Sequence, residues 1–248
     1  MTESDAARFV RLLWRVPEPS RRGPKSRLDV DTVVAAAIRI ADAEGLAAAT
    51  IRRIAEEVGA SRMAVYTYAD GKERLLDLMT DAVNAEVHAA GPIDQPWPQS
   101  VRELADRNLA AHRAHPWLTD APLESPVLGP GTVGKYETEL AVFDGLGLDD
   151  VPMDLCLNQV LGFVRGTARD EAARRPDPAT PAQWWADYGA ALAAVIDPAD
   201  YPLASRVGTA AGEAMGAAHD GDAAYVFGLD RLVDGLVRYV DQVRSESS

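Results

Sequence analysis

The sequence predicts an all-α protein, with a small helical head near the N-terminus and a larger helical core behind it. Three observations predict this. Apolar residues recur at helical spacing, as in Val30, Val33, Val34, Ala37, Ile38 and Ala41, which fall on one continuous face. Apolar/polar alternation, the mark of a half-buried strand, persists nowhere. Capping residues and glycines punctuate the periodic stretches where helices should begin and end.

Residues 1–28 read as a basic N-terminal arm. Between positions 8 and 28 stand Arg8, Arg11, Arg15, Arg21, Arg22, Lys25 and Arg27 against one acid, Glu18. Such a terminus is expected either to lack fixed structure or to lay Arg21, Arg22, Lys25 and Arg27 along nucleic-acid phosphates or a minor groove. Residues 29–88 read as the head. Asp29 caps its first helix and Gly45 ends it. Thr50 caps a short helix with Ile51, Ile54, Ala55 and Val58 inward, and Gly59 breaks it. Ser61 caps the next, Arg62–Tyr68. Asp70 and Gly71 precede a longer helix through Leu75, Leu78, Met79, Val83 and Val87. The stretch Gly91–Pro98 reads as a turn between domains. In residues 89–248, helices are expected over 99–115, 135–145, 152–174, 181–196 and 222–243. The first stops at His115–Pro116. Residues 119–134 are expected as loop, and the Gly- and Ala-rich stretch 197–221 as a flexible loop.

Composition narrows the function classes. Apolar residues make up 47% and charged residues 25% of the 248, as in ordinary globular proteins. No apolar run is long enough to span a membrane. A single cysteine, Cys156, excludes an internal disulfide framework and fits a reducing cytoplasm. The net charge of −13 argues against a surface that coats nucleic acid throughout. The distribution is uneven, however: residues 89–248 carry 24 of the 38 acidic side chains but only 12 of the 25 basic ones. A front that faces DNA and a back held off the phosphates would have this asymmetry.

The segment IRRIAEEVGASRMAVYTYAD at 51–70 meets the needs of a helix-turn-helix. A small residue, Ala55, stands where the two helices cross. Gly59 stands at the sharp turn, and Val65 locks the second helix onto the first. That second helix is then free to offer Arg62, Met63, Ala64, Tyr66, Thr67 and Tyr68 to a major groove. Arg62, in its first turn, suits a bidentate contact to guanine. Met63 and Ala64 suit thymine methyl groups, and the Tyr66 and Tyr68 hydroxyls suit phosphates. Thr50, Arg52 and Ser61 flank the groove, and Lys72 can neutralise a phosphate beside a helix N-terminus.

With these residues in view, Arg22–Val83 resembles the DNA-binding domain of the TetR family, helped by RGPK at 22–25 and IADAEGL at 40–46. HPWL at 115–118, GKYETELAVFDGLGL at 134–148 and FGLDRLVDGL at 227–236 resemble the C-terminal domain of the tetracycline-repressor subgroup. The resemblance implies an all-α homodimer that binds double-stranded palindromic operator DNA and leaves it when a small-molecule effector enters the core. Helices 152–174 and 222–243 would form a four-helix dimer interface. The stripe Leu229, Leu232, Val233, Leu236, Val237 and Val240 fits that interface or an internal core. His88 falls where the subgroup places a drug-binding histidine. A second drug-holding position falls on Leu104, where the subgroup has asparagine, and its metal-binding histidine has no counterpart near Pro122. A tetracycline–magnesium ligand is therefore not expected, nor is any metal or cofactor. The histidines at i and i+3, His112 and His115, lack the carboxylate or cysteine pair a metal would need. Asn108, His112, Trp117, Tyr136, Phe143, Asn158, Gln159 and Phe163 supply the mixture of aromatic and polar groups that a pocket for a lipophilic effector requires. Two other functions compete: an α-helical enzyme acting on a small molecule, and a DNA-binding protein with no effector. No nucleophile elbow, phosphate loop or dinucleotide glycine pattern favours the enzyme.

Overall fold

Capping decides where the helices of the head begin. In the computed structural model, which describes residues 4–16, 28–121, 126–173, 180–217 and 219–246, the Asp29 side chain accepts the Thr32 backbone N–H at 2.7 Å and starts α2, Val30–Glu44. That bond holds the Asp29 carboxyl below its ordinary pKa. Gly45 ends the helix at φ 84°, a backbone state that costs glycine little. Thr50 and Ser61 cap α3, Ile51–Val58, and α4, Arg62–Tyr66, in the same way. Gly59 makes the left-handed turn between them at φ 66°. The long helix α5, Lys72–Ala89, completes the head. Val33, Ala37, Ile54, Val65, Leu78 and Met79 are buried together in its core. Among the described residues the chain is helical, with two short 3-10 turns at Leu46–Ala48 and Pro116–Asp120 and no strand.

The arm is not free along its first stretch. Residues Asp5–Leu13 form a helix, α1, capped by Ser4. Leu13 is buried in the head core. Arg74 pairs with Asp5 and Asp70 and lies 5.1 Å from the centre of the Phe9 ring. The Trp14 Nε1–H donates to the Leu128 carbonyl at 2.8 Å, and Arg15 pairs with Asp31 at 2.6 Å. The arginines at this end therefore alternate with an apolar face, a helix signal that a reading by charge alone overlooks. Arg21, Arg22, Lys25 and Arg27 lie outside the described residues. Leu13→Ala is expected to lower unfolding free energy by about 2–5 kcal/mol in urea titration. A loss close to zero would mean that α1 does not contribute to the core.

Behind the head come α6, Gln99–Ala114, α7, Pro130–Leu140, and α8, Asp150–Ala172. The start of α7 corrects the expected 119–134 loop, because Pro130, Gly131 and Gly134 are helical. Proline is preorganised for a first turn. The two glycines serve close packing against α5: a Cβ on Gly131 would stand 2.0 Å from the Asp81 carbonyl oxygen, and one on Gly134 2.8 Å from the His88 ring. The Asp81 carboxylate in turn accepts the Thr132 N–H at 2.9 Å and so caps α7 from α5.

The chain divides into two compact units, residues 1–169 with 233–248, and residues 170–232. The second holds α9, Pro181–Ala193, α10, Pro202–Met215, and the first half of α11, Gly221–Glu246. Helix α10 corrects the expected flexible loop at 197–221. Alanine favours helix strongly. Gly212, which a loop reading counts as a breaker, lies where a Cβ would strike the Trp185 indole at 2.0 Å. Pro176 and Pro178, between α8 and α9 in sequence, lie outside the described residues.

Candidate functional site

The helix-turn-helix forms at the predicted residues. Ala55 and Val65 are buried where α3 and α4 meet, and Ile54 is fully buried beneath them. The opposite face of α4 is open: Arg62, Met63, Tyr66 and Thr67 are exposed, Met63 at 75%. So large an exposed thioether on a short helix has no packing role in this chain. Arg62 and Lys72 are exposed, with no ion-pair partner among the described residues. Arg52 lies 3.9 Å from Glu56 at the surface, whereas Arg53, one residue on, is held by Glu57 and Glu44 at 3.0 Å each. Ser61 and Thr50 spend their hydroxyl oxygens on capping bonds from Ala64 N and Arg53 N. Ala64 is half-buried. Tyr68 departs from expectation: its hydroxyl donates to the Leu28 carbonyl at 2.8 Å and so secures the entry to α2 instead of facing a phosphate. Arg22 and Lys25 fall outside the described residues.

A second site lies at the far end of α5. There Val87 and His88 line a narrow cleft with Ile93, Leu104 and Arg107, closed on the α7 side by Lys135, Thr138 and Glu139. Its polar groups are interlocked. The Thr138 hydroxyl donates its single hydrogen to the Gly134 carbonyl at 3.0 Å, so the 2.8 Å contact with His88 Nδ1 requires that nitrogen to carry the proton. This tautomer leaves Nε2 of neutral His88 as an acceptor. Glu139 is buried, with one oxygen 2.7 Å from Lys135 Nζ and the other accepting from Asn108 Nδ2 at 2.5 Å. Asn108 also donates to the Leu104 carbonyl. A buried carboxylate is tolerable only with such partners.

His112, also on α6, stands apart from this network. Its Nδ1 is buried without a hydrogen-bond partner among the described residues. Burial, and then the charges of Arg165, Lys135 and Arg169, push its pKa from 6.5 down to about 4. A histidine with a folded pKa below its unfolded value binds its proton more readily when unfolded. Its contribution to stability is therefore lost as pH falls from 6.5 toward 4. His112→Gln is expected to flatten the fall in urea midpoint across that window; an unchanged slope would place the pH dependence elsewhere.

The remaining predicted core residues scatter. Trp117 is buried in the head core, with its Nε1–H donating to Asp42 at 2.7 Å. His115 shares that carboxylate at 2.9 Å and faces Glu86 at 3.7 Å. It thus bridges α2 and α5, away from the unpaired atom of His112, and no group of three metal-binding side chains gathers among the described residues. Phe143 is fully buried, edge-on to Trp97 with ring centres 5.8 Å apart. Tyr136 and Asn158 are exposed and share Asp154 at 2.8 and 2.9 Å. Gln159 is exposed and Phe163 half-buried. Sequence reasoning missed Lys135, Thr138, Glu139, Arg107 and Arg165. The signal for two of them was an i, i+4 Lys–Glu pair on the inner face of α7, a spacing that usually marks a solvated surface.

Comparison with known proteins adds family likeness to this geometry. Residues 33–79 match the family described as bacterial regulatory proteins, tetR family, and residues 91–240 match the tetracyclin repressor-like C-terminal domain. The chain is 35% identical over 249 residues to the HTH-type transcriptional repressor DrrR1 of Streptomyces coeruleorubidus, covering 98% of this chain and 90% of that one. The structure of the TetR family protein ActR of Streptomyces coelicolor in complex with actinorhodin is similar at a TM-score of 0.72 and 26% identity, covering 87% of this chain and 99% of that one. Apo ActR is similar in fold at a TM-score of 0.73 and 24% identity, covering 88% and 98% of the two chains.

Proposed function

Since the chain belongs to the tetR family of bacterial regulatory proteins, and is thus a DNA-binding transcription regulator and not an enzyme, we propose that it is a cytoplasmic homodimeric repressor. It holds a palindromic operator with α4 of each subunit and leaves it when a lipophilic, natural-product-like molecule enters the cleft between α5, α6 and α7. The observation that carries this reading is the course of α5. One unbroken helix bears Lys72 beside the recognition helix and Val87 and His88 in the cleft, a span of about 24 Å at helical rise. A ligand that moves one end of a rigid rod moves the other, and the two positions then differ in affinity for both DNA and ligand. The actinorhodin bound by ActR supports an aromatic effector. The acceptor nitrogen of His88 and the apolar Val87, Ile93 and Leu104 suit such a molecule.

The dimer is supported by the outer face of α8. Leu155, Gln159, Gly162 and Gly166 follow one another at helical spacing and are exposed, Leu155 at 57%. Asn158 and Gln159 would then belong to the interface. Of the α11 stripe, which fits an interface or an internal core, Leu229, Val233, Leu236 and Val240 are buried in their own chain; this favours the core, and Gly235 and Tyr239, exposed on the same helix, would face a second copy. The test is a titration of the purified protein against DNA flanking its own gene, with scrambled competitor at fixed salt. Selective binding that actinorhodin or a related aromatic compound relieves is expected. Binding without selectivity would overturn the reading.

A further inference from the structure

The wall formed by α6, α7 and α8 carries an excess of positive charge, with Lys135 and Arg165 half-buried and Arg169 exposed. Lys135, Arg165 and Arg169 all act on His112. The carboxylate among them, Glu139, has both oxygens engaged by Lys135 and Asn108. Asp120 is the other acid acting here, on Arg165. Terminal nitrogens of Arg165 and Arg169 donate to the Thr119 carbonyl, and Arg165 also to that of Ala121. These hydrogen-bond partners are neutral. Burial and Arg169 lower the pKa of Arg165 itself. Two polar atoms in this wall, His112 Nδ1 and Arg165 Nε, are buried with no partner among the described residues. A protein seldom leaves buried donors unused, because each costs free energy that water would otherwise have supplied. Here two polar atoms stand beside Arg165 and Arg169, whose hydrogen-bond partners are neutral carbonyls. Asn108, one turn before His112 on α6, bonds Glu139, which pairs with Lys135 in the cleft lining, so the wall adjoins the cleft.

We propose that this wall receives an acidic oxygen of the effector, carboxylate or ionised phenol, against His112, Lys135 and Arg165, while the effector's apolar body rests against Val87, Ile93 and Leu104. The assignment rests on the reading of the cleft as the effector site. An anion there supplies the acceptor that Arg165 Nε lacks, and one that His112 Nδ1 can meet when it carries the proton. It also favours the charged form of His112 and raises its pKa from about 4, so binding takes up a proton from solvent at acidic pH.

Anthraquinone-2-carboxylic acid and its neutral isostere anthraquinone-2-carboxamide separate charge from shape. Binding of each to the intact protein is measured by calorimetry in two acidic buffers of different ionisation enthalpy. The acid is expected to bind at least about tenfold more tightly than the amide, with net proton uptake, and to weaken as salt rises while the amide does not. In His112→Gln both the preference and the proton uptake should fall away. The salt comparison on the unaltered protein keeps the test decisive if that variant misfolds. Equal affinities, tighter binding of the amide, or no binding of either overturns the assignment. If both compounds bind equally and both release DNA, the effector reading stands and the charge assignment falls. If the acid binds preferentially without changing DNA affinity, the charge assignment stands and the effector reading falls.

Discussion

Arg62→Ala is expected to cost about 1–3 kcal/mol of operator binding, roughly 5- to 150-fold in affinity, and to relax selectivity at the base it reads. The geometry behind this is local. Ser61 caps α4, and Val65, fully buried, pins it to α3. Arg62 therefore leaves the first turn from a fixed base, exposed and without an ion-pair partner among the described residues. An arginine already engaged, as Arg53 is with Glu44 and Glu57, would first have to break those bonds. The measurement is paired titration of wild type and variant on operator and scrambled DNA at one salt concentration. Equal losses on the two would make Arg62 a phosphate contact.

Gly131→Ala should be the most damaging single methyl in the chain's centre. The added Cβ would stand 2.0 Å from the Asp81 carbonyl oxygen and 2.8 Å from Ala85 N. Both are backbone atoms of α5 and cannot step aside as a side chain would. Helix α7 must then back away from α5, which also strains the Asp81 cap on Thr132 and reshapes the cleft between them. Overpacking of this severity costs about 3 kcal/mol or more, or a fall in melting temperature of roughly 6–12 °C for a chain of this size. The regulatory consequence is separable from the stability loss: DNA binding by the folded fraction should persist, with a weakened response to ligand. An unchanged melting temperature would mean that α5 and α7 are less tightly joined than their geometry requires.

The head was legible because its signals are local. Asp29, Thr50 and Ser61 each bond to a backbone N–H three residues on, and Gly59 adopts its left-handed turn within its own residue. Such features are written in adjacent positions and survive without knowledge of what packs against them. The face of α4 followed by elimination, since Val65 is the buried residue and Arg62, Met63 and Tyr66 point away. Tyr68 escaped the same logic because its partner, Leu28, lies forty residues earlier.

The core resisted for the opposite reason. Glycines 131, 134 and 212 read as breakers in sequence, yet each marks a place where another element comes too close for a Cβ. Trp117 suited a pocket by its chemistry, but it joins the head through Asp42, 75 residues away. Glu139 and Lys135 have the i, i+4 spacing of a surface pair, yet Glu139 is buried and bonded by Asn108, 31 residues away. The residues alone were enough to give the helices of the head, its helix-turn-helix and the basic residue on the open face of α4, because caps, turns and amphipathic faces depend on neighbours within four residues. Tertiary structure alone decided which polar side chains meet in the cleft and which are left unpaired, because burial and electrostatic neighbours are set by helices far apart in the chain.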